Sequence, residues 1–191
     1  GGLQKLRPRA LRALFRPGEK GENGHADSVC LAPDGALWVG TWSGFCRWEN
    51  DRPKWFRHVE ENREDVRPVL EDHTGQIWLG KSRFGLYNMV SNTISRVTNA
   101  DLGRVDWSVP SFFEDSRENL WIGTDAGLLR KTKAGFILLT KRDGLSDDRI
   151  SGILEAPDQS LWIGTGNGGV NHYRNGPFRA LTSRDGLLSN G

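Results

Sequence analysis

Four tryptophans recur along the chain at nearly fixed intervals: Trp38, Trp78, Trp121 and Trp162, spaced 40, 43 and 41 residues apart. Each sits in the same short phrase, LWVG, IWLG, LWIG and LWIG, and a glycine follows four or five residues later at Gly44, Gly85, Gly127 and Gly169. Self-similarity at this period marks a repeat architecture, in which each unit buries its apolar faces against its neighbours. Only folds that stack small, nearly identical units satisfy that constraint.

In one register, each unit carries four apolar segments. The first spans 28–32, 66–71, 109–114 and 150–155. A tight turn follows: Pro33-Asp34-Gly35, His73-Thr74-Gly75, Ser116-Arg117-Glu118 and Pro157-Asp158-Gln159, rich in residues that set turn dihedrals. The tryptophan phrase is the second strand. The third spans 45–48, 86–89, 128–131 and 170–173, and the fourth 55–58, 93–97, 136–139 and 178–181. Only residues 6–15 show a helical period, and there a strand and a short basic helix compete. Four short antiparallel strands per unit of about 40 residues describe an all-β fold, the blade of a β-propeller.

The register divides residues 1–191 into a propeller section. Residues 1–17 are the end of a preceding blade, and whole blades follow at 18–58, 59–98, 99–140 and 141–182. Residues 183–191 repeat the loop that introduces a blade. The expectation is a section of about four blades from a larger propeller. Its two uncovered end faces favour self-association or marginal stability of the isolated section; a stable compact monomer would instead indicate four-blade closure.

The tryptophans read as packing between blades, each removing roughly 150–250 Å² from water, rather than as a stacking platform for ligand. The Gly-Leu steps read as turns needing a special backbone geometry. GNGG at 166–169 lacks the lysine and helix of a nucleotide loop.

Composition excludes several classes. The net charge is +2, from 26 basic and 24 acidic residues. The basic cluster Lys5, Arg7, Arg9, Arg12 and Arg16 reads as a solvated edge, so nucleic acid is not an expected partner. No run of 18 apolar residues offers a membrane helix. The four histidines, His25, His58, His73 and His172, show no metal-ligand spacing, and no nucleophile elbow is present. Neither a metal, a cofactor nor a catalytic residue is expected. Glu71-Asp72 and Glu114-Asp115 read as turn-closing carboxylates. Cys30 and Cys46 lie on the first and third strands of one blade, roughly 9–10 Å apart and beyond disulfide reach. Two free thiols are expected.

LWIGTDAGLLR, LWIGTGNGGVNHY, KRDGLSDDRISGILEAPD and SRDGLLSNG resemble the two-component regulator propeller repeats. The resemblance covers essentially the whole chain. It weakens in the first blade, with ALWVGTWSGF, and in the second, where Lys81 replaces threonine. It implies a seven-bladed propeller in the periplasmic or extracytoplasmic sensor of an inner-membrane receptor. The parent would be a sensor histidine kinase or diguanylate cyclase, homodimeric, with an oligosaccharide or other small molecule as its signal. The remaining blades of the receptor would be partners, and membrane contact would come only through segments outside this chain.

A propeller's ligands meet loops at one mouth of the central channel. The loops between second and third strands carry Trp42, Lys81, Arg83, Asp125 and Asn167; the loops leading into each blade carry His25, Asp65, Arg67, Trp107, Asp148 and Arg149. These positions vary between blades, as binding loops can. Aromatic rings with Asp, Asn and Arg suit sugars. The candidate ligand contacts are Trp42, Arg83, Trp107, Asp125, Arg149 and Asn167. Two alternatives stand beside the sensor reading: an enzyme resembling the streptogramin lyases, which would need His25 at the mouth, and a scaffold for a protein partner.

Overall fold

The computed structural model describes residues 26–41, 44–50, 52–56, 66–81, 85–99, 103–104 and 107–191. The ambiguous segment 6–15 lies outside the described residues, as do Trp42, Arg83, His25, His58 and Asp65.

Four four-stranded antiparallel sheets follow one another, each with its strands in chain order. The first contains β1 (Ala26–Leu31), β2 (Leu37–Thr41), β3 (Gly44–Glu49) and β4 (Arg52–Phe56). The second contains β5 (Val66–Glu71), β6 (Ile77–Lys81), β7 (Gly85–Val90) and β8 (Thr93–Arg96). A two-stranded pair that the repeat pattern does not announce, β9 (Thr98–Asn99) with β10 (Gly103–Arg104), leads to the third. That sheet holds β11 (Ser111–Glu114), β12 (Leu120–Gly123), β13 (Leu128–Thr132) and β14 (Gly135–Leu139). The fourth holds β15 (Ile150–Glu155), β16 (Leu161–Thr165), β17 (Val170–Tyr173) and β18 (Arg179–Leu181).

The expected segments and observed strands agree in order, with shifted ends. The first blade's outer strand begins at Arg52 rather than at 55, because Pro53 fits an edge strand that needs no N–H from it. The third blade's first strand begins at Ser111 rather than at 109. The Val109 N–H leaves its own ladder and donates to the Lys81 carbonyl of the previous blade, at 3.4 Å. The corresponding bond one blade on, from Ile150 N to Thr124 O, is 2.8 Å.

Each turn between first and second strands closes alike. Ala32, Asp72, Asp115 and Ala156 donate their amides to Ala36, Gln76, Asn119 and Ser160 carbonyls at 2.8–3.0 Å. The turn needs one residue in the left-handed region: Gly35 and Gly75 fill it in two blades, Glu118 and Gln159 in the others.

Three apolar cores separate the four sheets, and the recurrent tryptophan opens each. Trp38 packs with Val69, Ile77 and Leu79 of the second blade; Trp78 with Leu120 and Ile122 of the third; Trp121 with Leu161 and Ile163 of the fourth. These three indoles are 2%, 3% and 2% exposed. Cross-strand pairing puts Cys30, Leu70, Phe113 and Leu154 beside the tryptophans. The glycine that ends the phrase lets the sheets close. A Cβ on Gly40 would lie 2.6 Å from the Val66 carbonyl, on Gly80 2.7 Å from the Val109 carbonyl, and on Gly123 2.8 Å from Ile150 Cγ2. All three obstacles belong to the next blade's first strand or its approach. Trp38, Trp78 and Trp121 therefore lie between stacked sheets, and the fold is a section of a β-propeller.

Polar joints at the turn edge are of two kinds. In the second and third blades an aspartate starts the turn, and its carboxylate accepts from the same blade's indole: Trp78 Nε1 to Asp72 and Trp121 Nε1 to Asp115, both 2.8 Å. The next residue, His73 or Ser116, then offers its amide to a glutamate of the following blade, at 2.9 Å to Glu114 and 2.9 Å to Glu155. The first blade has Ala32 in place of the aspartate and Pro33, without an N–H, in place of the donor. There Glu71 of the second blade accepts from the orphaned indole itself, Trp38 Nε1, at 2.5 Å. These glutamates thus join neighbouring blades and do not merely close turns.

Candidate functional site

The loops at the edge opposite those turns interlock between chain-distant segments. Asp125 N donates to Ser108 O at 3.2 Å, and Ser108 N donates back to Asp125 Oδ1 at 3.1 Å. Gly166 N donates to Arg149 O at 2.8 Å, and Gly169 N to Asn190 O at 2.8 Å. The loops between second and third strands therefore lie against the loops that lead into blades, as the repeat register requires. First strands are irregular beside this edge, between 26 and 28, 66 and 69, and 150 and 152. Such bulges are frequent at barrel rims and binding sites.

Local chemistry explains how the loops hold their shape. In 140–145 a capping box closes on itself: Thr140 N donates to Asp143 Oδ2 at 2.9 Å, and Arg142 N donates to Thr140 Oγ1 at 3.2 Å. Gly144, with φ of 102°, ends the turn, and Leu145 is buried in the core between the third and fourth blades. Residues 182–187 repeat this arrangement down to Gly186, with φ of 107°. Where the phrase ends in threonine, its hydroxyl holds the following loop: Thr124 Oγ1 donates to Gly127 O at 2.7 Å and Thr165 Oγ1 to Gly169 O at 2.8 Å. Lys81 stands at that position in the second blade, 1% exposed, with Nζ 4.2 Å from the centre of the Tyr87 ring.

Four of the six expected contacts fall among the described residues. Arg149 and Asn167 are exposed and come together. With its amide oriented to satisfy both partners, Asn167 accepts from Arg149 Nη2 at 3.1 Å and donates to Gly166 O at 3.1 Å. Asp147 completes the cluster by accepting from Arg149 N at 2.9 Å. That backbone bond, helped by Asn167 and the Arg149 charge, holds the Asp147 carboxyl below the usual carboxylate range. Sequence reasoning did not single out Asp147; its place two residues before Arg149 was the available signal. Asp125 is exposed, with one carboxylate oxygen bonded to the Ser108 amide. Trp107 is half-buried and packs against the core between the second and third blades. It holds an apolar joint there while keeping part of its ring at the surface.

Hollows lie elsewhere. One of about 610 Å³ runs along the turn edge of the first blade, lined by Asp34, Leu37, Trp48, Glu49 and Asn50. A second, of about 70 Å³, sits between the third and fourth blades beside Arg117, Arg130 and Tyr173. It has room for a water or two. No expected contact residue lines either one. Among the described residues no cluster of His, Cys, Asp and Glu could hold a metal ion. His73 lies at the turn edge, 2.6 Å from Glu114, and His172 packs against Trp162 with its ring tilted by 48° and 4.7 Å between ring centres.

The comparisons with known proteins agree with the architecture. Residues 106–126 and 144–167 match the family model described as two component regulator propeller. The extracellular domain of a hybrid two component system from B. thetaiotaomicron is similar over 86% of this chain, at 24% identity and a TM-score of 0.71. The extracellular domain of a one component system from the same organism is similar over 84%, at 22% identity and a TM-score of 0.67. In both, this chain spans 23% of the other chain's length. Virginiamycin B lyase from Staphylococcus aureus is similar over 81% of this chain and 54% of its own, at 13% identity and a TM-score of 0.61. No curated protein is similar enough to match. The chain is a partial β-propeller, and the two stretches that match the two component regulator propeller model lie in its third and fourth blades. No helix among the described residues is long and apolar enough to cross a membrane.

Proposed function

We propose that the chain is a ligand-sensing section of an extracytoplasmic propeller in a two-component receptor, which responds to a small polyhydroxylated molecule such as an oligosaccharide. The parent would carry its output activity, a histidine kinase or diguanylate cyclase, outside this segment. The observation that carries the reading is a set of polar groups on the loops between second and third strands and on the loops that lead into blades, which we read as one mouth of the propeller channel. Arg149, Asn167 and Asp147 form one cluster there, while Asp125 and part of the Trp107 ring are presented by the neighbouring blade. These side chains stand where the repeat phrase makes no packing demand, on a frame the packed phrases hold rigid. Guanidinium, amide and carboxylate groups match hydroxyl donors and acceptors, and a half-exposed indole suits a sugar's apolar face. Family likeness points the same way, since matched repeats fall on the two blades that bear this cluster.

Titration calorimetry of the chain against an oligosaccharide panel tests it. Binding of at least one member is expected, weakened at least about tenfold by Arg149→Ala, a loss of about 1.4 kcal/mol. Absence of binding across the panel, or binding indifferent to Arg149→Ala and Asn167→Ala together, would refute the assignment.

A further inference from the structure

The polar joints carry a rule that the fourth blade obeys only in part. Where a turn begins with aspartate, the blade's own carboxylate satisfies its indole; where it begins Ala-Pro, the indole needs a glutamate from the following blade. The fourth blade's turn is Ala156-Pro157-Asp158, which repeats Ala32-Pro33-Asp34 of the first. Asp158 folds back on its own turn as Asp34 does: its carboxylate accepts from Ser160 N at 3.1 Å, as Asp34 accepts from Ala36 N at 3.1 Å. Among the described residues nothing accepts from Trp162 Nε1. Trp162 is half-buried, whereas its three counterparts are buried. Leu154 is 62% exposed, although its counterparts Leu70 and Phe113 pack in interblade cores. Gly164 keeps the close-approach glycine, yet no residue of another blade stands near it.

We propose that this face of the fourth blade receives the innermost strand of a further blade, and that a glutamate ending that strand accepts the Trp162 indole hydrogen bond. The chemistry selects the occupant. A glutamate already ends the innermost strand of three blades here, at Glu71, Glu114 and Glu155, and each reaches back to the preceding blade. A second copy of this chain would offer its first blade, whose innermost strand ends in Leu31, a side chain with no acceptor. The face therefore discriminates against head-to-tail assembly of copies and in favour of a blade with the acidic ending.

Indole hydrogen exchange, followed by NMR of ¹⁵N-tryptophan-labelled protein, tests this in residues 1–191 and in the whole polypeptide its gene encodes. In residues 1–191, Trp162 should exchange fast beside slow Trp38, Trp78 and Trp121. In the whole polypeptide it should slow about a hundredfold or more, and replacing the glutamate of the covering strand with leucine should restore fast exchange. Ala156→Asp, which supplies the acceptor found in the second and third blades, should slow Trp162 already in residues 1–191. Fast exchange in the whole polypeptide would overturn the proposal, as would protection indifferent to the glutamate. So would protection of residues 1–191 that grows with protein concentration and vanishes in Leu31→Lys.

Discussion

Adding one methyl group at Gly80 and at its counterpart Gly164 should have unequal consequences. A Cβ at Gly80 falls 2.7 Å from Pro68 Cδ, 2.7 Å from the Val109 carbonyl and 3.0 Å from the Arg67 carbonyl. Two of these are backbone oxygens, and the Val109 oxygen belongs to the approach of the next blade, so relief requires the sheets to part. Overpacking of this kind costs about 1–3 kcal/mol, and rigid neighbours place Gly80→Ala near the upper end. At Gly164 the nearest atom is Ser151 Oγ at 2.9 Å, an exposed hydroxyl that can rotate away, and the next lies at 3.8 Å. Alanine is also preferred over glycine in a strand by about 0.5–1 kcal/mol, so Gly164→Ala should be near neutral. Neither glycine has positive φ, so conformation does not confuse the comparison. In urea unfolding, a slope of about 2 kcal/mol/M would turn the difference into roughly 1 M between midpoints. Equal midpoints, or a larger loss at Gly164, would refute the reasoning that Gly80 is squeezed by the next blade.

Three further outcomes follow from the joints and the buried groups. Glu71→Ala strands the Trp38 indole N–H and should cost about 1–3 kcal/mol; adding Ala32→Asp should recover most of it, because Asp72 and Asp115 accept an indole from that position. A denaturation double-mutant cycle without coupling would contradict this. The hydrogen bond to Glu114, reinforced by the charges of Glu114 and Glu118, raises the His73 pKa. Protonated His73 is the bound form, so its contribution is complete below its ordinary value of about 6.5 and fades as pH rises through the raised one. His73→Gln should remove that part of the pH dependence of the unfolding midpoint; an unchanged profile would discount the contact. Burial lifts the Cys46 thiol to about 11 and raises Cys30 as well. Without reductant, mass spectrometry should show both thiols alkylated after denaturation and Cys46 resistant in the native state.

The parts legible in the sequence are those that every blade must repeat. Trp38, Trp78 and Trp121 announced interblade packing because any stacked sheet needs a large apolar plate at that point. The turns were legible because their dihedrals demand a few residue types. The strand-ending glutamates were read as local, since their partners lie 33 to 41 residues earlier and become neighbours only when sheets stack. The pairing of Ala32-Pro33 with the Glu71 bond acquires meaning only with the indole geometry. At the edge opposite the turns, the register indicated which loops meet, and Arg149 with Asn167 do meet. What Asp125 and Trp107 do was less legible: a carboxylate oxygen bonded to Ser108 and a ring settled on a core depend on backbone paths that the repeat does not dictate.

The architecture rests on indoles wedged between successive sheets, with the fourth left at an open face, and residue-resolved tryptophan oxidation of the native chain reads this directly. Mass spectrometry after limited oxidation should find Trp38, Trp78 and Trp121 protected and Trp162 modified first among the four. Comparable modification of all four, or protection of Trp162 with oxidation of Trp78 and Trp121, would contradict the stacked-blade account.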